Sequence, residues 1–373
     1  MASKKLVFLG YVMNTGLTLH FVDWLEALHA EVKDIFDITF ITVQNEQSKG
    51  LYEDLTKIPV TTIIINKNDD LNTLSVFNEA NIVHCHGMRQ AIEVLRIRKK
   101  RSLSFKIIIT LHAFRHGQWY RFLYTNLISP LLLNEIDLIH FVSQTAKNEF
   151  LQLNITYKKT NASVVFPLGC NQQRYSSEIS IEHLEFYKEL SRGSFNIIYL
   201  ADLVPRKNHV WLIKVLRHFL INHDARLWLF GQGKQKQIVE KLVSDYKIEQ
   251  YVYLPGRVDG KYIPSILQHM NIAVCISKSE TMGHAIIEPL FAGIPVVTFD
   301  VGIASAVIRD FVTGFIVQNK SEIKNFQRAL LFLINNKAKA EEMGKEARSF
   351  AFQRLSWKIT AQNCFDAYQS LFS

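Results

Sequence analysis

The 373-residue sequence has only four cysteines, Cys85, Cys170, Cys275 and Cys364, and no two of them form a CxxC pair. A disulfide framework and a zinc site are thereby excluded, and a reducing, cytoplasmic compartment is expected. No Asp-x-Asp pair occurs, so nothing suggests an acidic clamp for a divalent metal holding a diphosphate. Long hydrophobic runs are missing as well. The longest greasy stretch, FLYTNLISPLLL, is broken by Thr125, Asn126 and Pro130 and is too short to span a bilayer. The start, MASKKLVFLGYVMNTG, places two lysines before an apolar run, but the run is short and no small-residue cleavage site follows. It reads as a first buried strand rather than a signal peptide. No low-complexity segment and no sequence repeat is visible. The remainder is 48% hydrophobic and 21% charged, an ordinary globular balance, and the length predicts two domains.

Apolar runs alternate with amphipathic ones along the chain. KLVFLG, DITFITV, VTTIIIN, NIVHCH, FKIIITLH, DLIHFVS and SVVFPLG occupy the first half, with helical patterns such as Leu19 to Val32 and Met88 to Lys100 between them. Strands that are apolar throughout suit a parallel sheet covered on both faces. A polar stretch with Gly193 follows, and then the pattern restarts with FNIIYLAD, ARLWLFG, YVYLPG, NIAVCIS and IPVVTFD. The expected fold is α/β, with two Rossmann-like, doubly wound parallel-sheet domains facing across a cleft. The expected boundaries are 1–175, a linker at 176–194, 195–352, and a C-terminal helix at 353–373 that crosses back to the first domain.

The net charge of +9 is concentrated. Between residues 89 and 121, nine cations stand against one acid, Glu93. Such a cluster attracts anions, among them nucleic acid, phosphate ligands or an acidic membrane surface, unless it is an ordinary solvated helix end. The apolar and aromatic segment RFLYTNLISPLLL, preceded by Trp119 and Tyr120, could seat a lipid-linked acceptor or pack into the core.

In open parallel sheets ligands bind beyond the carboxyl ends of the strands. Several groups fall there. SETMGHAIIEPLFAGIPVV carries Glu280 and Glu288 with seven residues between them. A helix starting near Gly283 would aim its free N–H groups at a phosphate, while the glutamates accept hydrogen bonds from hydroxyls on either side. Glu288 follows His284 by four residues and shares its helix face. A ligand with a diphosphate between two hydroxylated groups, such as a nucleotide sugar, fits this order. Spacing alone favours an ordinary amphipathic helix with two surface acids. Arg206 and Lys207, in LADLVPRKNH, could neutralise a diphosphate leaving group or form a surface pair. Gly231-Gln232-Gly233 lacks the third glycine of a dinucleotide motif and reads as a tight turn. His84 and His86 share a strand face, but no third metal ligand is evident. His112 ends a strand, where a histidine could hydrogen-bond a sugar or shape the site.

Together these segments resemble a GT-B fold glycosyltransferase of the retaining glycosyltransferase family 4. The resemblance covers nearly the whole chain and is strongest from Asn196 to Val317. Glu280-x7-Glu288 with AGIPVV matches the E-x7-E signature; LVPRKNH, LFGQG, YLPGRV and VFPLGCNQQRY resemble the loops that accompany it. The resemblance implies that Glu280 contacts donor-sugar hydroxyls and Glu288 the ribose. It implies that backbone groups of Thr281, Met282, Gly283, His284, Ala285 and Ile286 hold the distal phosphate and sugar, and that Lys207 with Arg206 neutralises the diphosphate. Arg257 and Val258 then lie in the base-contacting loop, while Gly16 and His112 approach the donor from the first domain.

The sequence departs from the family in three places. Ala201-Asp202 stands where Gly-Arg is usual, Pro289 follows the second glutamate, and the loop from Val301 to Ala306 lacks an acid. The resemblance further implies a metal-independent hexosyltransferase without a cofactor, using a nucleotide-sugar donor, with UDP-sugars favoured. The expected product step retains the anomeric configuration, with domain closure excluding water. The expected acceptor is a glycan or lipid-linked glycan at the cytoplasmic face of a membrane, with Arg96, Arg98, Lys99, Lys100 and Arg101 meeting an anionic surface and no nucleic acid bound. Two alternatives stay open: a nucleotide-sugar epimerase of the same fold, and a catalytically silent partner subunit.

Overall fold

The computed structural model describes residues 3–10, 15–43, 54–55, 57–66, 68–111, 133–153, 163–177, 179–190, 192, 195–318 and 322–372, with the backbone alone for 15–20. The chain divides into two units, Met1–Gly169 with Ser356–Ser373, and Cys170–Leu355. Residues 176–194, expected as a linker, fall within the second unit.

The first unit holds a seven-stranded sheet of β1 (Lys4–Leu9), β2 (Phe36–Val43), β3 (Thr61–Ile65), β4 (Ile82–His86), β5 (Lys106–Leu111), β6 (Leu138–Phe141) and β7 (Ser163–Val165). Their order is β3-β2-β1-β4-β5-β6-β7 and every pair is parallel. Helices α1 (Thr15–Val32), α2 (Met88–Lys100) and α3 (Gln144–Leu153) supply crossovers. The central strands β1 and β4 are buried almost throughout, which is why they carry apolar runs instead of alternation.

The histidines of β4 are core residues. His84 Nδ1 lies 2.7 Å from Tyr368 Oη, its Nε2 lies 2.7 Å from Thr110 Oγ1, and that hydroxyl lies 2.9 Å from His140 Nδ1. His140 Nε2 reaches the Phe166 carbonyl at 2.8 Å. A carbonyl only accepts, so with both imidazoles neutral every proton in the chain points from Tyr368 toward Phe166. His86 packs among the rings of Phe8, Phe21 and Trp24. Tyr368 belongs to the C-terminal helix, and Trp357 in the same helix stacks on Trp24 at 5.4 Å.

The second unit holds β8 (Phe195–Leu200), β9 (Ala225–Phe230), β10 (Val252–Gly256), β11 (Ile272–Cys275), β12 (Val296–Phe299) and β13 (Gly314–Val317), all parallel, in the order β10-β9-β8-β11-β12-β13. Helices α4 (His209–Asn222), α5 (Lys236–Asp245), α6 (His284–Ala292), α7 (Ile323–Asn335) and α8 (Lys337–Arg354) accompany it. The chain winds outward from β8 in one direction and from β11 in the other. The two strands are neighbours, so the loops leaving their carboxyl ends diverge at a switch point, the place where such sheets bind ligands. Proline at position 289 lies inside α6 and removes one helical N–H. The helix persists because its apolar side is buried and its far end closes on Gly293, whose φ of 77° suits glycine.

Candidate active site

The loops after β8 and β11 are fastened to each other. Lys278 N–H donates to the Arg206 carbonyl at 2.8 Å, and Asn208 Nδ2 donates to the Ile276 carbonyl at 3.3 Å. Asn208 takes φ 64°, a left-handed conformation that ends the turn Pro205–Lys207 and opens α4. This turn presents Arg206 and Lys207 to Glu280. Lys207 Nζ lies 2.5 Å from Glu280 Oε1, and Arg206 Nη1 lies 2.9 Å from Oε2 and 2.7 Å from the Ser279 carbonyl. Ser277 Oγ donates to Oε1 at 2.5 Å.

Glu280 is 8% exposed. Burial alone pushes its carboxyl up, but the charges of Lys207 and Arg206 and the bonds from Lys207 and Ser277 outweigh that and hold it below the ordinary value. It is therefore an ionised, fully engaged carboxylate. The two cations differ: the Lys207 side chain is 14% exposed, the Arg206 side chain 50%.

Glu288 has the opposite environment. It is half-buried, and burial pushes its carboxyl up to about 7, with Arg174 pulling the other way. Arg174 comes from the turn Gln172–Tyr175 of the same unit. Near neutrality Glu288 changes between a hydroxyl donor and a carboxylate acceptor.

The remaining predicted residues sort by what they can offer. Gly283, at φ 97°, caps α6 and offers no side-chain acceptor to the first-turn N–H groups. Ile286 N–H bonds back to the Gly283 carbonyl at 2.9 Å. Met282, Ala285 and Ile286 bury their side chains, so they can face a ligand only through backbone. His284, the first residue of α6, has its pKa lowered to about 4 by burial and then by Lys207, and is neutral at physiological pH. Thr281 lies between these and Glu280 and is partly exposed. The Met282 carbonyl accepts from Ile303 N–H at 2.9 Å, and a Cβ on Gly302 would come within 2.4 Å of that carbonyl. The loop without the family's acid is thus packed directly behind residues 280–282.

Gly231 and Gly233 are not a dinucleotide motif. Added Cβ atoms would sit 2.2 Å from the Ala201 carbonyl and 2.4 Å from the Leu203 carbonyl. They are glycines because the loop that carries Arg206 and Lys207 runs across them. Arg257, in the loop after β10, pairs with Asp202 at 3.1 Å, and Val258 beside it is partly buried. Asp202 stands where the resembling family has an arginine, and its partner is thus the residue expected to flank the base. Gly16 lies in the first turn of α1. His112, Trp119, Tyr120 and RFLYTNLISPLLL up to Leu132 lie outside the described residues.

Much of the basic cluster is spent internally. Arg98 bonds Asp137 at 3.0 Å and two backbone carbonyls, Lys99 bonds Glu135 at 2.6 Å, and Arg101 bonds the Leu74 carbonyl and Asn78. Arg96 and Lys100 are exposed and have no carboxylate partner among the described residues. Also among the described residues, no group of three His, Cys, Asp or Glu side chains is placed to hold a metal ion, and no helix is long and apolar enough to cross a membrane.

Sequence reasoning gave no role to Tyr199, Ser277 or Arg174. The first two sit in or beside apolar strands and carry no spacing signal. Arg174 lies within VFPLGCNQQRY, a segment matched to the family without a role for its cation.

Residues 181–350 match the family model described as glycosyl transferases group 1. A poly(ribitol-phosphate) alpha-N-acetylglucosaminyltransferase of Staphylococcus aureus is 26% identical over 174 residues, 46% of this chain and 35% of that enzyme. The chain therefore spans only part of that relative. An uncharacterised glycosyltransferase of Methanocaldococcus jannaschii is 23% identical over 373 residues, 95% of each chain. Among solved structures, a glycosyltransferase from Rickettsia africae superposes with TM-score 0.79 at 17% identity, covering 100% of both chains. An Anabaena protein in complex with UDP and glucose superposes with TM-score 0.77 at 16% identity, covering 98% of this chain and 100% of that one.

The raised Glu288 carboxyl makes a stability prediction. A carboxyl raised from 4.5 to about 7 stays protonated in the folded state where the unfolded chain has already released its proton. Stability is thus lost as pH rises from about 4.5 to 7 and stays lower above that. Glu288→Gln should stabilise the protein at pH 8 by about 1–3 kcal/mol and have little effect near pH 4.5. Urea melts at the two pH values decide; equal effects at both would contradict the assignment. Residues 181–350, within the second unit, are thus similar to the glycosyl transferases group 1 family, and the chain's two parallel-sheet units share the GT-B fold of solved glycosyltransferases.

Proposed function

We propose that the chain is a retaining, metal-independent glycosyltransferase of family 4. It moves a hexose or N-acetylhexosamine from a nucleotide diphosphate sugar, with UDP-sugars favoured, to a glycan or lipid-linked acceptor. The observation that carries this reading is the placement of Arg206, Lys207, Glu280 and the N-terminus of α6 at the switch point of the second sheet. Cations and helix N–H groups there are suited to a diphosphate. The Anabaena neighbour, described with UDP and glucose, supports the choice of base.

Each residue then has a task. Arg206 and Lys207 stabilise the negative charge that builds on the leaving diphosphate, with Gly283, His284 and Ala285 contributing backbone N–H groups. Neutral His284 adds no positive charge of its own. Glu280 accepts from donor-sugar hydroxyls and Glu288 from the ribose, a bond that is stronger when Glu288 is ionised. Thr281 and Met282 line the sugar side through backbone, and Val258 and Arg257 flank the base. Ile286 takes part through helix geometry, since its N–H is already bonded. No protein nucleophile is assigned. The bond from the anomeric carbon to the diphosphate breaks, the acceptor oxygen bonds to the same face, and its proton passes to the departing phosphate. The roles that the resemblance implies for Gly16 and His112 toward the donor belong to this reading as well.

Thermal midpoints with UDP, GDP, ADP, CMP and NAD test the donor site. UDP should raise the midpoint, by about 2.7 kcal/mol of stabilisation at a hundred times its Kd. The shift should grow as pH rises through 7 and vanish in Glu288→Gln. Stabilisation by NAD alone would overturn the reading. An isomerised donor without transfer would identify an epimerase, and binding without turnover a silent subunit.

An anionic membrane surface is the second proposed partner, at the cytoplasmic face. Its support is reduced to Arg96 and Lys100, because Arg98, Lys99 and Arg101 are engaged within the protein. Retention on phosphatidylserine vesicles at low salt should drop in Arg96→Glu/Lys100→Glu; equal retention of variant and wild type would remove the membrane from the proposal.

A further inference from the structure

Two buried hydroxyls beside Glu280 are used by neither the motif nor the proposed chemistry. Tyr199 Oη lies 2.8 Å from Ser277 Oγ and 3.0 Å from the Lys207 carbonyl, while Ser277 Oγ lies 2.5 Å from Glu280 Oε1. Two hydroxyl protons must serve these three contacts. An ionised carboxylate only accepts, so the Ser277 proton goes to Glu280. Ser277 Oγ then accepts from Tyr199, and the Tyr199 proton is shared between Ser277 and the Lys207 carbonyl. Tyr199 is a dependable donor, because burial pushes its hydroxyl well above the ordinary value. Its ring is fixed by stacking on the buried His209 at 4.9 Å.

The two oxygens of Glu280 are consequently unequal. Oε1 receives Lys207 and Ser277, both little exposed, and is saturated from behind. Oε2 receives Arg206, whose side chain is half in solvent. Only Arg206 can exchange its partner without moving the loops.

We infer that Tyr199 and Ser277 are positioning residues for the donor reaction: they hold Glu280 Oε1 on Lys207, and leave Oε2 as the oxygen that meets the donor sugar when Arg206 turns to the diphosphate. The inference rests on the donor site proposed above. Tyr199 also ties the backbone of Lys207 to the same relay, so one hydroxyl sets the positions of both the cation and the carboxylate. Of the groups proposed to hold UDP, Glu288 and the α6 N-terminus are outside it, and Lys207 is tied to it through its backbone carbonyl alone.

The test uses Tyr199→Phe, which keeps the ring and its stacking, with Ser277→Ala and the double variant. Three quantities are read on the full chain: UDP affinity by calorimetry, UDP release from UDP-glucose and UDP-N-acetylglucosamine, and titration of the Glu280 carboxyl by carbon-13 NMR. Tyr199→Phe should keep UDP affinity within about threefold of wild type and lower kcat by about ten- to a hundredfold with KM little changed. The Glu280 titration midpoint should rise by about half to one pH unit, the equivalent of a weakened hydrogen bond. The double variant should lose less rate than the product of the two single losses, because Tyr199 acts in part through Ser277. A Tyr199→Phe protein with wild-type kcat and an unmoved Glu280 titration overturns the inference, as does a rate loss that merely follows the fraction unfolded. If the wild type neither binds UDP nor releases it from either donor, the donor site fails; the Glu280 titration still decides whether the relay exists.

Discussion

A carboxylate that is 8% exposed and ionised sets the terms for the second unit. Burying a charge costs several kcal/mol unless other charges and hydrogen bonds replace water. Glu280 obtains both, from Lys207, Arg206 and Ser277. The two cations come from the neighbouring loop, so the two loops must be held in register, and bonds from the Lys278 backbone and the Asn208 side chain do so. The left-handed Asn208 and Gly283 and the close-packed Gly231, Gly233 and Gly302 are the local cost of that register. The sheet order makes it feasible, since β8 and β11 are adjacent although 71 residues of chain lie between Leu200 and Ile272.

Glu288, eight positions later, is left without such compensation. Its carboxyl is raised by burial and opposed only by Arg174, whereas that of Glu280 is lowered. Two acids in one motif are pushed in opposite directions by their surroundings, which is the signature of groups with different tasks. One organises the site's cations. The other is raised by burial, and in the proposed donor site a hydroxylated ligand would relieve its unfavourable ionisation. Sites commonly give up stability in this way where function requires it.

The fold was legible because both sheets are parallel and buried on two faces. Runs such as Lys4–Leu9 and Ile272–Cys275 had to be apolar throughout, and Thr15–Val32 and Met88–Lys100 had to return as helices. The glutamate pair and the cations were legible from the resemblance, each as a local motif. What stayed hidden was pairing across long separations. The bond from Lys207 to Glu280 spans 73 residues, and the bond from Lys99 to Glu135 spans 36. A local charge count therefore overstated the basic cluster, whose neutralising acids, Glu135 and Asp137, lie beyond it. Tyr199 and Ser277 were hidden for another reason. A hydroxyl at the end of an apolar strand looks like any strand residue until its partners are known. His84 shows the reverse case, a residue that invites a metal by type and is explained by Tyr368 and Thr110 once the sheet and last helix are in place.

Hydrogen–deuterium exchange with and without saturating UDP tests the central claim, that the donor is held where β8 and β11 release their loops. UDP should slow exchange in two short stretches of the second unit, residues 203–208 and 280–288, with smaller effects at 256–258. Slowed exchange confined to other segments, with calorimetry showing that UDP is bound, would contradict it.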